Sequence, residues 1–133
     1  MTQFGFGAAS LGETFALVSE EDALSTMQTL WKHGVRYFDT APLYGWGLSE
    51  HRVGSFLSLQ PRQEFVLSTK VGRVLRAPKV KAGFKAPFFR GGLPYDQLFD
   101  YSYDGIMRSF EDSLQRLRLN SIDLLVIHDL EFH

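Results

Sequence analysis

The chain contains no cysteine. A disulfide framework, a thiolate nucleophile and a thiolate metal site are therefore excluded. Long apolar runs are missing as well: no stretch approaches the roughly 20 residues that a membrane-crossing helix needs. The opening MTQFGFGAASLGETF has no basic segment ahead of a long apolar core, so it reads as mature sequence rather than a secretory leader, with the cytoplasm as the expected compartment. A net charge of −1 gives no general attraction for nucleic acid. No Gly-x-Ser-x-Gly occurs, which removes the usual setting of a catalytic serine elbow. Proline is sparse, 5 in 133 residues, and Pro78, Pro87 and Pro94 all fall between Arg73 and Tyr103.

Within those bounds, 133 residues suffice for one domain with a real core, and 44% hydrophobic against 22% charged residues is an ordinary globular balance. Ser19, followed by Asp22, is a capping-box start for a helix over 20–33 whose apolar Ala23, Met27, Leu30 and Trp31 share one face, with Gly34 as its left-handed stop. VRYFDTA reads as a strand. Ser49 is placed as the cap of a second helix that buries Val53, Phe56 and Leu57 and ends at Pro61. EFVLSTKVG (64–72) reads as a further strand, and 73–103 as an irregular excursion. A helix over 104–118 is expected to turn Ile106, Phe110, Leu114 and Leu117 to the core and to stop near Asn120. IDLLVIHDL (122–130) closes the series as a strand. The order β-α-β-α-β-α-β, with strands apolar on both faces, predicts a parallel α/β sheet covered by helices.

Three strands end in an apolar run followed at once by an ionisable residue: Asp39, Lys70 and His128. In a parallel sheet all carboxyl ends lie on one side, so these groups converge on one rim, with Tyr44 in the adjoining loop. A lysine at the end of a buried strand demands a partner, and Asp39 is the nearest carboxylate. A cation held beside a phenol favours the phenolate, which suits Tyr44 to acid-base work, and His128 is placed to orient a substrate oxygen.

Other sites are weaker. Gly5 and Gly7 do not complete a dinucleotide fingerprint, because Ser10 stands at the third glycine position and the helix begins later. His128, His133 and Asp39 lack the spacing of a metal site, so no metal is expected. Lys70, Arg73, Arg76, Lys79, Lys81, Lys85 and Arg90, interleaved with Phe84, Phe88 and Phe89 and free of acidic residues, resemble a nucleic-acid surface; a solvated loop over the rim is the commoner arrangement, and no nucleic-acid partner is expected.

FDTAPLYG, LSEHRVGSFL, VLSTKVG and SLQRLRLNSIDLLVIHD together resemble the aldo-keto reductase superfamily, in particular its branch of threo-aldose, L-fucose and pyridoxal dehydrogenases. The resemblance implies a (β/α)8 TIM-type barrel, of which residues 1–133 supply about the first four β/α units as the N-terminal part of one barrel domain. It implies NAD(P) as cofactor, a small carbonyl or alcohol substrate, and Asp39, Tyr44, Lys70 and His128 as the catalytic tetrad. Gly7, Ala8 and Ala9, with Asp39, are implied beside the nicotinamide, and Trp46 beside the substrate with Tyr44 and His128. A whole barrel takes about 250 residues. The expectation is therefore a fragment, inactive alone, and the alternative a non-catalytic half-barrel that binds a partner; in either case open sheet edges favour self-association.

Overall fold

Phe38 and Leu67 are Cα partners on neighbouring parallel strands, and both are fully buried. They lie at the heart of a computed structural model that describes residues 4–78 and 90–130. The elements in chain order are β1 (Phe6–Gly7), α1 (Glu20–Lys32), β2 (Tyr37–Asp39), α2 (Leu48–Leu57), β3 (Val66–Val71), β4 (Arg73–Arg76), β5 (Asp96–Phe99), α3 (Tyr103–Leu117) and β6 (Leu124–Ile127). Strands β1-β2-β3-β6 form a sheet in that order, every pair parallel, while β4 and β5 form a separate antiparallel ribbon. Parallel strands joined by helices in this order are the arrangement of part of a (β/α)8 barrel.

Helix α1 starts as its sequence dictates: Ser19 Oγ accepts from Asp22 N at 3.0 Å, and Gly34 leaves the helix at φ +84°. Its Ala23 and Met27 enter a core shared with Ala8, Leu11, Val53, Phe56, Leu57, Phe65 and Leu117, on which Leu30 and Trp31 pack. Helix α2 buries Val53, Phe56 and Leu57 as its spacing predicts, but Ser49 is not its cap. Gly47, at φ +91°, takes that position, and the helix stops at Leu57, ahead of Pro61. The Ser49 hydroxyl donates instead to Ala8 O at 2.7 Å and lies 2.9 Å from Thr40 Oγ1, lacing the carboxyl ends of β1 and β2 to α2. Arg52, almost fully buried, adds a second clamp by donating to Leu11 O and Val18 O, both at 2.7 Å, and pairing with Glu13 and Glu20.

Helix α3 begins at a Ser102 cap and presents Gly105, Ser109, Ser113 and Leu117 as its buried residues. Of the expected core face only Leu117 is fully buried; Ile106, Phe110 and Leu114 are half-buried. Gly54 of α2 meets Leu117 of α3 so tightly that a Cβ there would lie 2.3 Å from Leu117 O. Gly54→Ala is expected to cost about 1–3 kcal/mol by forcing the two helices apart, read as a lower denaturant midpoint; an unchanged midpoint contradicts this contact.

The described residues of the expected excursion, 73–78 and 90–103, include paired strands that its prolines do not suggest. Arg73↔Phe99, Val74↔Leu98, Leu75↔Gln97 and Arg76↔Asp96 are Cα partners in the ribbon, and Val74 and Leu75 of β4 are buried. Lys79, Lys81, Phe84, Lys85, Phe88, Phe89 and His133 lie outside the described residues. At the sheet edge, Leu124, Leu125, Val126 and Ile127 of β6 are each 45–50% exposed. Among the described residues no helix is long and apolar enough to cross a membrane.

Candidate active site at the strand ends

Asp39 is the last residue of β2, Lys70 lies one position before the end of β3, and His128 follows β6 directly. Lys70 pairs in register with Val126, so its side chain and the end of β6 share one level of the sheet. The expected ion pair is formed: Lys70 Nζ is 2.6 Å from Asp39 Oδ2 and also donates to Thr40 O at 3.1 Å. Ser68 Oγ donates to Asp39 Oδ1 at 2.5 Å, so both carboxylate oxygens are engaged. Tyr37 OH, 3.1 Å from Ser68 Oγ, extends the network.

Tyr44 stands over this pair. The Lys70 ammonium is 4.8 Å from the Tyr44 ring centroid, and the His128 ring meets the same tyrosine edge-on at 6.0 Å. Backbone packing places it there. Gly12 and Gly45 approach so closely that a Cβ on Gly12 would lie 2.4 Å from Tyr44 C, and a Cβ on Gly45 2.5 Å from Gly12 O. The Tyr44 turn is thus seated on the 3-10 turn Ala8–Gly12 that follows β1. Gly45 also needs its positive φ of +65°, which a side chain would strain.

The electrostatics divide the site. Burial works against the charge on Lys70, but hydrogen bonds to Asp39 and Tyr44 outweigh it and raise its pKa, keeping the ammonium charged. His128, 8% exposed, goes the other way: burial first, opposed by the Asp129 carboxylate and reinforced by Arg73 and Lys70, lowers its pKa to about 4. The imidazole is neutral at physiological pH. Its Nδ1 is sealed and has no hydrogen-bond partner among the described residues, and its Nε2 lies 3.6 Å from Asp129 Oδ2. Between pH 6.5 and about 4 the unfolded chain binds more protons at His128 than the folded one. Stability from this residue is therefore complete above pH 6.5 and falls as pH drops through that window. His128→Gln should flatten that part of a stability-against-pH curve; an unaltered slope contradicts the buried neutral ring.

The remaining expected residues are also at the rim. Gly7 ends β1 and is exposed, with open space where a Cβ would project, so a flat ligand can approach the backbone there. Ala8, fully buried, and Ala9, half-buried, belong to the 3-10 turn rather than to the strand. Trp46 is 3% exposed with φ +51°, on the buried side of the Tyr44 turn. Open backbone at Gly7 beside the Asp39–Lys70 pair fits a nicotinamide ring. Among the described residues no cluster of three His, Cys, Asp or Glu side chains could hold a metal ion. Sequence reasoning missed Ser68 and Thr40, and gave Ser49 a capping role in place of its bonds to Ala8 O and Thr40. The signal was present in the adjacent polar pair Ser68-Thr69 inside the apolar β3, since buried hydroxyls in a parallel strand demand partners.

Residues 3–133 match the Aldo/keto reductase family. The chain belongs to that family. NAD(P)-dependent oxidoreduction of small carbonyl or alcohol compounds is the family's general chemistry. Pyridoxal 4-dehydrogenase of Microbacterium luteolum is 46% identical over 98% of this chain and 40% of its own length. D-threo-aldose 1-dehydrogenase of a Pseudomonas species is 42% identical over 97% of this chain and 40% of its own. Among solved structures, the holo form of an aldo-keto reductase from Bacillus halodurans superposes with a TM-score of 0.70 at 34% identity, covering 94% of this chain and 35% of that one. The chain spans about 40% of the length of these curated relatives.

Proposed function

We propose that residues 1–133 are the N-terminal part of a single aldo-keto reductase barrel domain and carry the acid-base centre of a cytoplasmic NAD(P)-dependent dehydrogenase or reductase. The observation that carries this reading is Lys70, held 2.6 Å from Asp39 and 4.8 Å from the Tyr44 ring centroid, with His128 across the same tyrosine. Tyr44 is the group that exchanges a proton with the substrate oxygen. Lys70 remains charged through its hydrogen bonds and stabilises negative charge on the phenol oxygen as the proton leaves it. Asp39, fixed by Ser68, holds the ammonium in place. Neutral His128 hydrogen-bonds the same substrate oxygen and orients it. Hydride exchange at carbon is the chemistry that NAD(P) supplies when bound. Gly7, Ala8, Ala9 and Asp39 would hold the nicotinamide end, and Trp46 would back the substrate side.

The named relatives suggest an aldose or a pyridoxal-like aldehyde or alcohol as substrate. The test is NAD(P)H formation by the full-length protein with a panel of aldoses and pyridoxine-type alcohols. Turnover abolished by Lys70→Met supports the proposal; turnover that survives this change, or none with any member of either class, contradicts it. A second reading, a non-catalytic half-barrel that binds a partner or its own copy, is favoured by the exposed apolar edge of β6. On that reading the 133-residue chain alone turns nothing over and its apparent mass in solution rises with concentration; a monomer at every concentration argues against it.

A further inference from the structure

The antiparallel ribbon touches the site at two points. On one side, Leu93 N donates to Gly45 O at 2.9 Å and Arg90 N to Glu13 O at 2.9 Å, so the chain leading into β5 lies across the Tyr44 turn. On the other side, the ribbon reaches the residue that follows β6. Tyr101, whose ring fills the space beside Gly72, donates to His128 O at 2.7 Å. Arg73, the first residue of β4 and 8% exposed, sends one guanidinium nitrogen to Asp129 Oδ2 and another to Gln97 Oε1 at 2.7 Å, with its guanidinium carbon 4.1 Å from the Phe99 ring centroid. Its own carbonyl accepts from Ser109 Oγ of α3 at 3.2 Å. Such a guanidinium has little freedom.

Asp129 Oδ2 also lies 3.6 Å from His128 Nε2. The contact is too long for a good hydrogen bond. A carboxylate beside an imidazole normally closes on it, captures its N–H and favours the imidazolium. Here the same oxygen is already committed to Arg73. We propose that Arg73 is a positioning residue for His128: by engaging Asp129 Oδ2 it keeps Nε2 uncaptured, so that a neutral imidazole is left to meet the substrate oxygen. The charged and titratable groups facing His128 are Asp129 next to it, Arg73 from β4, Lys70 from β3, Asp39 from β2 and Tyr44 from the loop after β2. Of these, Arg73 is the one cation bound directly to the competing carboxylate. The ribbon thereby ties the Tyr44 turn and the His128 strand end into one frame. This rests on the proposed role of His128 at the substrate oxygen.

The test is an NMR titration of the His128 ring in the full-length protein labelled at histidine nitrogens, without substrate, with His128→Asn identifying the signal. In Arg73→Met the freed carboxylate closes on Nε2 and a nearby positive charge is lost; both raise the midpoint, by about 1 pH unit or more. Arg73→Lys, which keeps the charge but not the fork, should give a smaller rise. A midpoint in folded Arg73→Met within a few tenths of the parent value overturns the proposal. If Arg73→Met does not fold, Asp129→Asn decides: with no carboxylate to capture Nε2 the midpoint stays low, and an upward shift overturns the proposal. The two failures separate cleanly. Full turnover in His128→Asn sinks the role of His128 whatever the titration shows, whereas an unmoved titration beside inactive His128→Asn sinks the Arg73 link alone.

Discussion

Replacing Tyr44 by Phe in the full-length protein is expected to lower kcat about 10²- to 10⁴-fold, the usual contribution of a positioned acid-base group, with cofactor affinity essentially unchanged. The change removes one oxygen and leaves the ring, so the packing of the turn on Gly12 and the edge-on contact with His128 persist. Lys70 retains Asp39 and Thr40 O as partners, and the strand ends should not rearrange. The loss should therefore sit in turnover and not in folding or in cofactor binding. Steady-state kinetics alongside cofactor fluorescence titration reads both at once. A kcat within a factor of a few of the parent value contradicts the assignment of the proton to Tyr44.

The second large effect concerns stability. Glu50 is fully buried, with Oε2 2.5 Å from Arg116 Nε and Oε1 accepting from Thr69 Oγ1 at 2.8 Å. Three elements, α2, α3 and β3, meet at this carboxylate, and Thr69 immediately precedes Lys70. Arg116→Met leaves the carboxylate buried with one neutral donor, and is expected to cost about 3–5 kcal/mol. Removing both partners in Glu50→Met/Arg116→Met should cost less than the single change, because no uncompensated charge remains. Denaturant unfolding of the three proteins gives the comparison. A single-variant loss below about 1 kcal/mol would mean that solvent reaches Glu50 in place of the arginine.

Much of the site was legible because a parallel sheet turns sequence position into spatial position. Asp39, Lys70 and His128 each follow an apolar run, and strands of this kind bring their ends to one rim, so the Asp39–Lys70 pair followed from desolvation alone. The errors have equally local causes. Ser49 has the same appearance in the sequence whether its hydroxyl caps its own helix or reaches Ala8 O across the sheet, and only the tertiary partner distinguishes the two. In α3 the large apolar residues suggested the core face. The buried positions are instead the small Gly105, which packs on the Asp100 side chain, Ser109, which donates to Arg73 O, and Ser113, which accepts from Arg116. The β4–β5 ribbon was hidden by its flanking prolines and by its length, since antiparallel partners separated by such a long excursion leave no hairpin turn signal. Arg73 and Asp129 acquire meaning only once that ribbon exists.

The central claim is that Asp39, Tyr44, Lys70 and His128 act as one unit. The most direct test is a double-mutant cycle in kcat on the full-length protein with Tyr44→Phe and Lys70→Met. Groups that share one proton-transfer step lose their combined contribution when either is removed, so the double variant should be about as slow as the slower single one. Independent losses that multiply in the double variant would mean that Lys70 and Tyr44 serve separate purposes and that the acid-base centre lies elsewhere.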